Sequence, residues 1–242
     1  MKQIVKVMCL AAMMISAGMS TQAQFRQSVF LNGMLPVGNW ATDIKTANVP
    51  LGYTEVGKDA IIGFGLGYRA SYRFNVGLGE VAPFVGVDAF WNMISSEWRT
   101  KYLDANSKAP SYINMPIMAG VSYFYNQLWN DITPYGEFAV GTDVMFITPE
   151  GAGKVNGIPF KKFAYKPSTD LAWMIGAGAY FGRHVSAGIY CYGLGTHTID
   201  YTKNTLKNNE VANAQMLTAE LTNAARQKRA VGAIGLRLGF HF

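Results

Sequence analysis

Residues 62–74 read Ile62-Gly63-Phe64-Gly65-Leu66-Gly67-Tyr68-Arg69-Ala70-Ser71-Tyr72-Arg73-Phe74. Ile62, Phe64, Leu66, Tyr68, Ala70, Tyr72 and Phe74 alternate without a break against glycine or polar residues. Period-two alternation sends successive side chains to opposite faces, so the run predicts a β-strand with one wholly apolar face. The strand is also long. Strands of globular domains average ~5–6 residues, whereas a tilted strand crossing a membrane needs ~9–11.

The pattern recurs along the chain. It predicts strands over Pro83–Trp91, Tyr112–Tyr125, Thr133–Phe146, Leu171–Phe181 and Val185–Leu194, a weaker first strand over Ser28–Val37, and a last one ending Ile234-Gly235-Leu236-Arg237-Leu238-Gly239-Phe240-His241-Phe242. These make eight. The connectors 39–60, 94–110, 147–168 and 196–228 are long, and those at 75–82, 126–132 and 182–184 are short. Alternating long and short connectors with an even strand number place the long ones at one end and both termini at the other.

Composition agrees with such a wall. Half of the 242 residues are apolar and only 15% are charged, with 26 glycines, yet mean hydropathy is just +0.08. Disorder is excluded by 5 Trp, 13 Tyr and 14 Phe. Beyond residue 20 no run approaches the ~20 apolar residues of a membrane helix. A soluble sandwich or a lipocalin-like barrel would need charged outward faces, but the non-apolar faces here hold mostly Gly, Ala, Ser and Tyr. The inverse arrangement is expected: an all-β, eight-stranded antiparallel up-and-down transmembrane β-barrel with apolar side chains in lipid and small or polar ones inside. Tyr68, Tyr72, Trp91, Tyr123, Tyr125 and Trp173 are expected to form its aromatic girdles.

Residues 1–23 carry Lys2 and Lys6, an apolar stretch from Val7 to Ala17, and Thr21-Gln22-Ala23. That order reads as a secretory signal peptide rather than an anchor helix, leaving residues 24–242 as the barrel domain. Its removal takes the net charge from +6 to +4. The mature chain keeps a single cysteine, Cys191, placed on the lipid face, so no internal disulfide is expected. No basic run is long enough for a nucleic-acid surface.

Gly63-Phe64-Gly65-Leu66-Gly67-Tyr68-Arg69, Tyr112-Ile113-Asn114-Met115-Pro116-Ile117 and Gly239-Phe240-His241-Phe242 resemble the Bacteroidetes-type outer membrane protein β-barrel domain (porin family), within the OmpA/OmpX-like superfamily of eight-stranded barrels. The resemblance implies an outer-membrane location in a Gram-negative bacterium and contact with outer-membrane lipid and lipopolysaccharide. It also implies a C-terminal signal, matched by Phe240 and Phe242, read by the barrel-assembly machinery. A structural or surface-presenting role follows, in adhesion or envelope integrity, with at most slight solute passage and a monomeric barrel. A porin or transporter for small solutes, and an accessory barrel of a secretion machine (PorT-like) with a surface or periplasmic protein partner, are the alternatives.

No catalytic, cofactor-binding or metal site is expected. The Gly63-x-Gly65-x-Gly67 run lies on a strand face with no helix after it. Gly151-Ala152-Gly153-Lys154 lacks the Ser or Thr of a phosphate loop, since Val155 follows. His184, His197 and His241 are scattered, and His197 reads as a loop histidine. The informative set is an interior charge cluster: Arg69, Arg73 and Arg237 against Asp88, Glu137 and Asp143. If Gly77-Leu78-Gly79-Glu80 is the turn, Arg69 faces Asp88 directly. Equal numbers of each sign suggest a plug, because an eight-stranded barrel is only wide enough for side chains. The stretch Asn209–Arg229 holds strong helix formers and predicts a short rim helix, with Arg226, Lys228 and Arg229 at its C-terminal end.

Overall fold

A computed structural model describes residues 25–41, 59–96, 99–100, 103, 105, 107–125, 131–149, 151–155, 158–160, 164–200 and 227–242. The signal peptide, and positions 209–226 of the helix expected over Asn209–Arg229, lie outside the described residues. Eight long strands form the wall: β1 (Phe25–Val37), β2 (Ala60–Tyr72), β3 (Gly79–Ile94), β4 (Ser111–Tyr125), β5 (Ile132–Ile147), β6 (Ser168–Phe181), β7 (Val185–Ile199) and β8 (Gln227–His241). Each pairs antiparallel with its neighbours in chain order, and β8 pairs with β1 from Ser28↔His241 to Val37↔Gly232. The sheet is therefore closed and has no edge. The fold is an eight-stranded antiparallel up-and-down barrel, and its chain ends meet where the Gln27 and Phe242 backbones exchange hydrogen bonds.

The wall strands run for 13–16 residues, longer than a bilayer needs. Their outer faces are apolar. Leu171, Leu236, Ile189 and Ile62 are each 62% exposed or more, and Phe64, Leu66, Val85 and Ile175 exceed half. A soluble monomer rarely leaves more than a few hundred Å² of apolar surface contiguous, so this belt suits hydrocarbon and rules against the lipocalin-like arrangement. Trp91 and Trp173 stand on the outer face towards the long connectors, while Tyr72 and Tyr123 stand towards the short turns. Tyr68 lies on the same face and donates from its hydroxyl to Gln27.

Three features differ from expectation. First, the β2–β3 turn is one position earlier: Val76 N–H bonds to Gly79 O at 2.9 Å, with Gly77 and Leu78 central. Gly77 has φ +81° and Leu78 is not left-handed, which is the type II′ geometry that matches strand twist and wants glycine first. The pairing consequently shifts by two, so Asp88 faces Gly67 and Arg69 faces Gly86. Second, the connector after β7 is shorter than 196–228, because Thr196–Ile199 and Gln227–Ala230 are paired strand. Lys228 and Arg229 thus lie on β8 rather than at a helix end, their amides joined to a ladder that outweighs local helix propensity. A bulge between Gly193 and Thr196, with Gly195 at φ +88°, makes this extension possible.

Third, the interior is richer in large side chains than the alternation suggests. Phe30, Phe84, Phe90, Tyr112, Tyr190 and Tyr192 are buried inside along with Met34, Met118, Met145 and Met174. Inward glycines make room for them. A Cβ on Gly176 would collide with the Tyr190 ring, and one on Gly67 with the Asp88 carboxylate.

The outward belt leads to a simple expectation. Leu66→Arg should destabilise the barrel by ~2–4 kcal/mol in reversible unfolding from lipid vesicles, the cost of a charge at mid-bilayer. A change near zero would mean that water, not lipid, covers this face.

Candidate functional site

The middle of the lumen is crossed by a network of ion pairs and hydrogen bonds between side chains that the sequence scatters over 205 positions. Arg69 points inward from β2 and grips Glu137 of β5 with two parallel hydrogen bonds, 2.6 and 2.7 Å. Ser122 on β4 donates to the same carboxylate at 3.0 Å. Arg237 on β8 lies between two acids. Its Nη2 is 2.9 and 3.0 Å from the Asp88 oxygens, and its Nη1 is 3.6 Å from Glu137. Nε of Arg237 donates to Asn32 Oδ1 at 2.8 Å, and Tyr192 hydrogen-bonds with both Arg237 and Asp88. Every wall strand except β6 contributes a group.

Aromatic rings hold the guanidinium planes. Arg69 stacks 3.7 Å above the Phe84 ring centroid, and Phe30 lies between the two arginines, 5.0 Å from Arg69 and 4.5 Å from Arg237. Tyr190 covers Arg237 at 4.2 Å. A ring face attracts a desolvated cation, and guanidinium is weakly hydrated enough to lie flat on it. Arg237 is 2% exposed, Glu137 6%, Asp88 7% and Arg69 8%. The void among Phe30, Arg69, Phe84, Asp88, Met118 and Arg237 measures only about 10 Å³. That is no more than a single water occupies.

Arg73 and Asp143 take separate places. Arg73 sits nearer the short turns, paired with Glu80 at 3.0 Å and stacked 3.9 Å over Phe124. Asp143 sits nearer the long connectors, 3.0 Å from His197 Nε2. So the six cluster residues occupy three levels, and Arg69 pairs with Glu137 instead of Asp88. The register explains this. With Gly67 opposite Asp88, the Arg69 side chain reaches across the lumen while Arg237 takes Asp88.

Two histidines prove to be interior groups. His197 is fully buried on β7 and not in a loop, because the bulge carries the strand past Gly195 and resets which residues face inward. His241 is hydrogen-bonded to Ser28 at 2.7 Å, Ser186 at 2.8 Å and Tyr180 at 3.1 Å. It ties the last strand to β1, β6 and β7 beside the chain end. Its neighbours Phe240 and Phe242 point outward, 43% and 75% exposed. Alternation alone could have placed His241 inside; nothing in the local sequence of His197 does. Cys191 is partly buried, and no cluster of three or more His, Cys, Asp or Glu suited to a metal occurs among the described residues.

No known family model matches the chain, and no curated protein does. Among solved structures it is similar to Neisserial surface protein A, with TM-score 0.40 and 11% identity over 90% of this chain and 96% of that one. It is similar to Ail, the attachment invasion locus protein of Yersinia pestis, solved with the heparin analogue sucrose octasulfate, with TM-score 0.42 and 11% identity over 92% and 100%. Outer membrane protein OprG from Pseudomonas aeruginosa gives 0.42 and 10% over 91% and 97%.

The geometry makes the pairing measurable. Arg69→Met and Glu137→Met should each cost ~3–5 kcal/mol by stranding a buried charge, and the double variant much less than their sum. Arg69→Met with Asp88→Met should come closer to additive. Equal coupling in the two cycles would contradict the observed partners.

Proposed function

We propose that the protein is a closed outer-membrane barrel of the small OmpA/OmpX-like kind, whose work is structural and surface-presenting. The observation that carries this reading is the crossed lumen. Arg69, Asp88, Glu137 and Arg237, one from each of four strands, pair across the section, and the void beside them measures only about 10 Å³. A solute pore would need an open, hydrated lumen, and eight strands enclose too little room to keep both a pore and this network. What remains available to partners is the outer wall and the ends of the barrel.

In this reading the chain is exported by its N-terminal segment, and Phe240 and Phe242 serve the barrel-assembly machinery. The lipid belt meets outer-membrane lipid and lipopolysaccharide, and the connectors 38–59, 95–110, 148–167 and 200–226 present the surface that a protein partner or the envelope uses. The Bacteroidetes-type grouping is supported by the three sequence runs that resemble it. The barrel acts as a monomer and has no catalytic role.

Two measurements test the reading. Liposomes carrying the refolded protein should swell no faster in small sugars than empty ones; rapid swelling would favour the porin alternative. In a deletion strain, the full chain should restore envelope integrity or adhesion, and a chain with 200–226 replaced by a short turn should not. Full rescue by the shortened chain would remove that connector from the account.

A further inference from the structure

His197 lies just beyond the Gly193–Thr196 bulge of β7 and is 0% exposed. Each of its ring nitrogens faces a backbone carbonyl, which can only accept. Nδ1 is 3.2 Å from the Ser168 carbonyl, while Nε2 is 2.7 Å from the Leu194 carbonyl and 3.0 Å from Asp143 Oδ2. A neutral imidazole has one N–H and one lone pair, so it would turn a lone pair against one of these oxygens. Only the imidazolium satisfies both sides.

The surroundings select the same form. Asp143 of β5 is also 0% exposed. Asp170 of β6 lies directly opposite it, accepting backbone N–H groups from Leu171 and Thr196. On the other flank Arg229 of β8 is paired with His197 and Lys228 with Thr198. Asn114 of β4 lies two residue pairs along from Asp143, neutral and fully buried, with an amide that makes no hydrogen bond within the described protein. Lys166 is already paired with Asp200. The Asp143 carboxylate thus faces the ring while that of Asp170 is held by backbone amides, and of the groups around them His197 makes the ion pair with Asp143.

This ring also carries a mechanical load. The regular β6–β7 ladder stops at Trp173↔Gly193. Above it, the arm formed by Thr196–Ile199 and Gln227–Ala230 is joined to β6 through side chains, Thr196 N–H to Asp170, Thr198 N–H to Ser168 Oγ at 3.0 Å and the His197 ring to the Ser168 carbonyl, and just past its end Lys166 N–H bonds to the Asp200 carbonyl at 2.8 Å. The 200–226 connector springs from this arm.

We propose that His197 is a pH-released latch: protonated, it fastens the outer arm of β7 and β8 to β5 and β6, and on losing its proton it frees that arm. The sign follows from linkage. The imidazolium donates to both carbonyls, and loss of its proton sets a lone pair against one of them. The latch therefore holds while the ring is protonated and is lost as pH rises through its titration. Asp143 must stay ionised, which sets the acid limit.

Deuterium exchange of the full barrel in lipid nanodiscs, corrected for intrinsic rates, reads the latch directly. Protection of peptides covering 194–200 and 227–232 should fall about tenfold between pH 6 and pH 9, while mid-wall residues 115–122 stay constant. His197→Gln should lose that pH dependence. Constant protection of the wild-type arm, or the same profile in His197→Gln, would overturn the proposal. A measurement that needs no variant is the ¹⁵N spectrum of the ring. Both nitrogens should be protonated at pH 6, and a neutral-tautomer pattern there would also overturn it.

Discussion

A polypeptide lying in hydrocarbon has no water to satisfy its amides, so each backbone donor and acceptor must find its partner in the chain. In this protein the β1–β8 ladder meets that demand. Ten residue pairs from Ser28↔His241 to Val37↔Gly232 close the sheet and remove its edges. Closure fixes the rest. It forces an even strand number, sets the termini side by side, and leaves each strand one face for lipid and one for the lumen. Removing the edges also removes the template on which exposed strands aggregate.

Closure at eight strands has a second consequence, because the enclosed space is narrow and filled by buried side chains. An isolated charge there would cost several kcal/mol, so charges enter in pairs and with further hydrogen bonds. Arg69 with Glu137, Arg237 with Asp88, and Arg73 with Glu80 follow that rule. The aromatic rings of Phe30, Phe84 and Tyr190 fill the remaining volume and present their faces to the cations. Hydrocarbon outside and side chains inside thus leave the connectors as the variable part of the molecule, where function on a shared fold usually resides.

How much of this is legible in the sequence depends on the feature. Face assignment is legible: Ile62 to Phe74 reads correctly residue by residue, because glycines opposite bulky residues make the alternation unmistakable. Partner assignment is not. Moving the Gly77-Leu78 turn by one position keeps Arg69 on the inner face but shifts its cross-strand neighbour from Asp88 to Gly86. Strand β3 is less readable, since Phe84 and Phe90 face inward while Val85 and Trp91 face outward, so both faces look apolar. His197 is hidden for another reason: a bulge resets the alternation at Gly193–Thr196, and a local pattern carries no record of such a reset beyond the glycines themselves.

The central claim is that paired charges shut the lumen, and single-channel recording in planar bilayers tests it most directly. The wild-type barrel should show no stable conductance steps, and a barrel with Arg69→Ser, Asp88→Ser, Glu137→Ser and Arg237→Ser should show them. Open-pore conductance in the wild type, or a quadruple variant that folds and stays silent, would contradict the account.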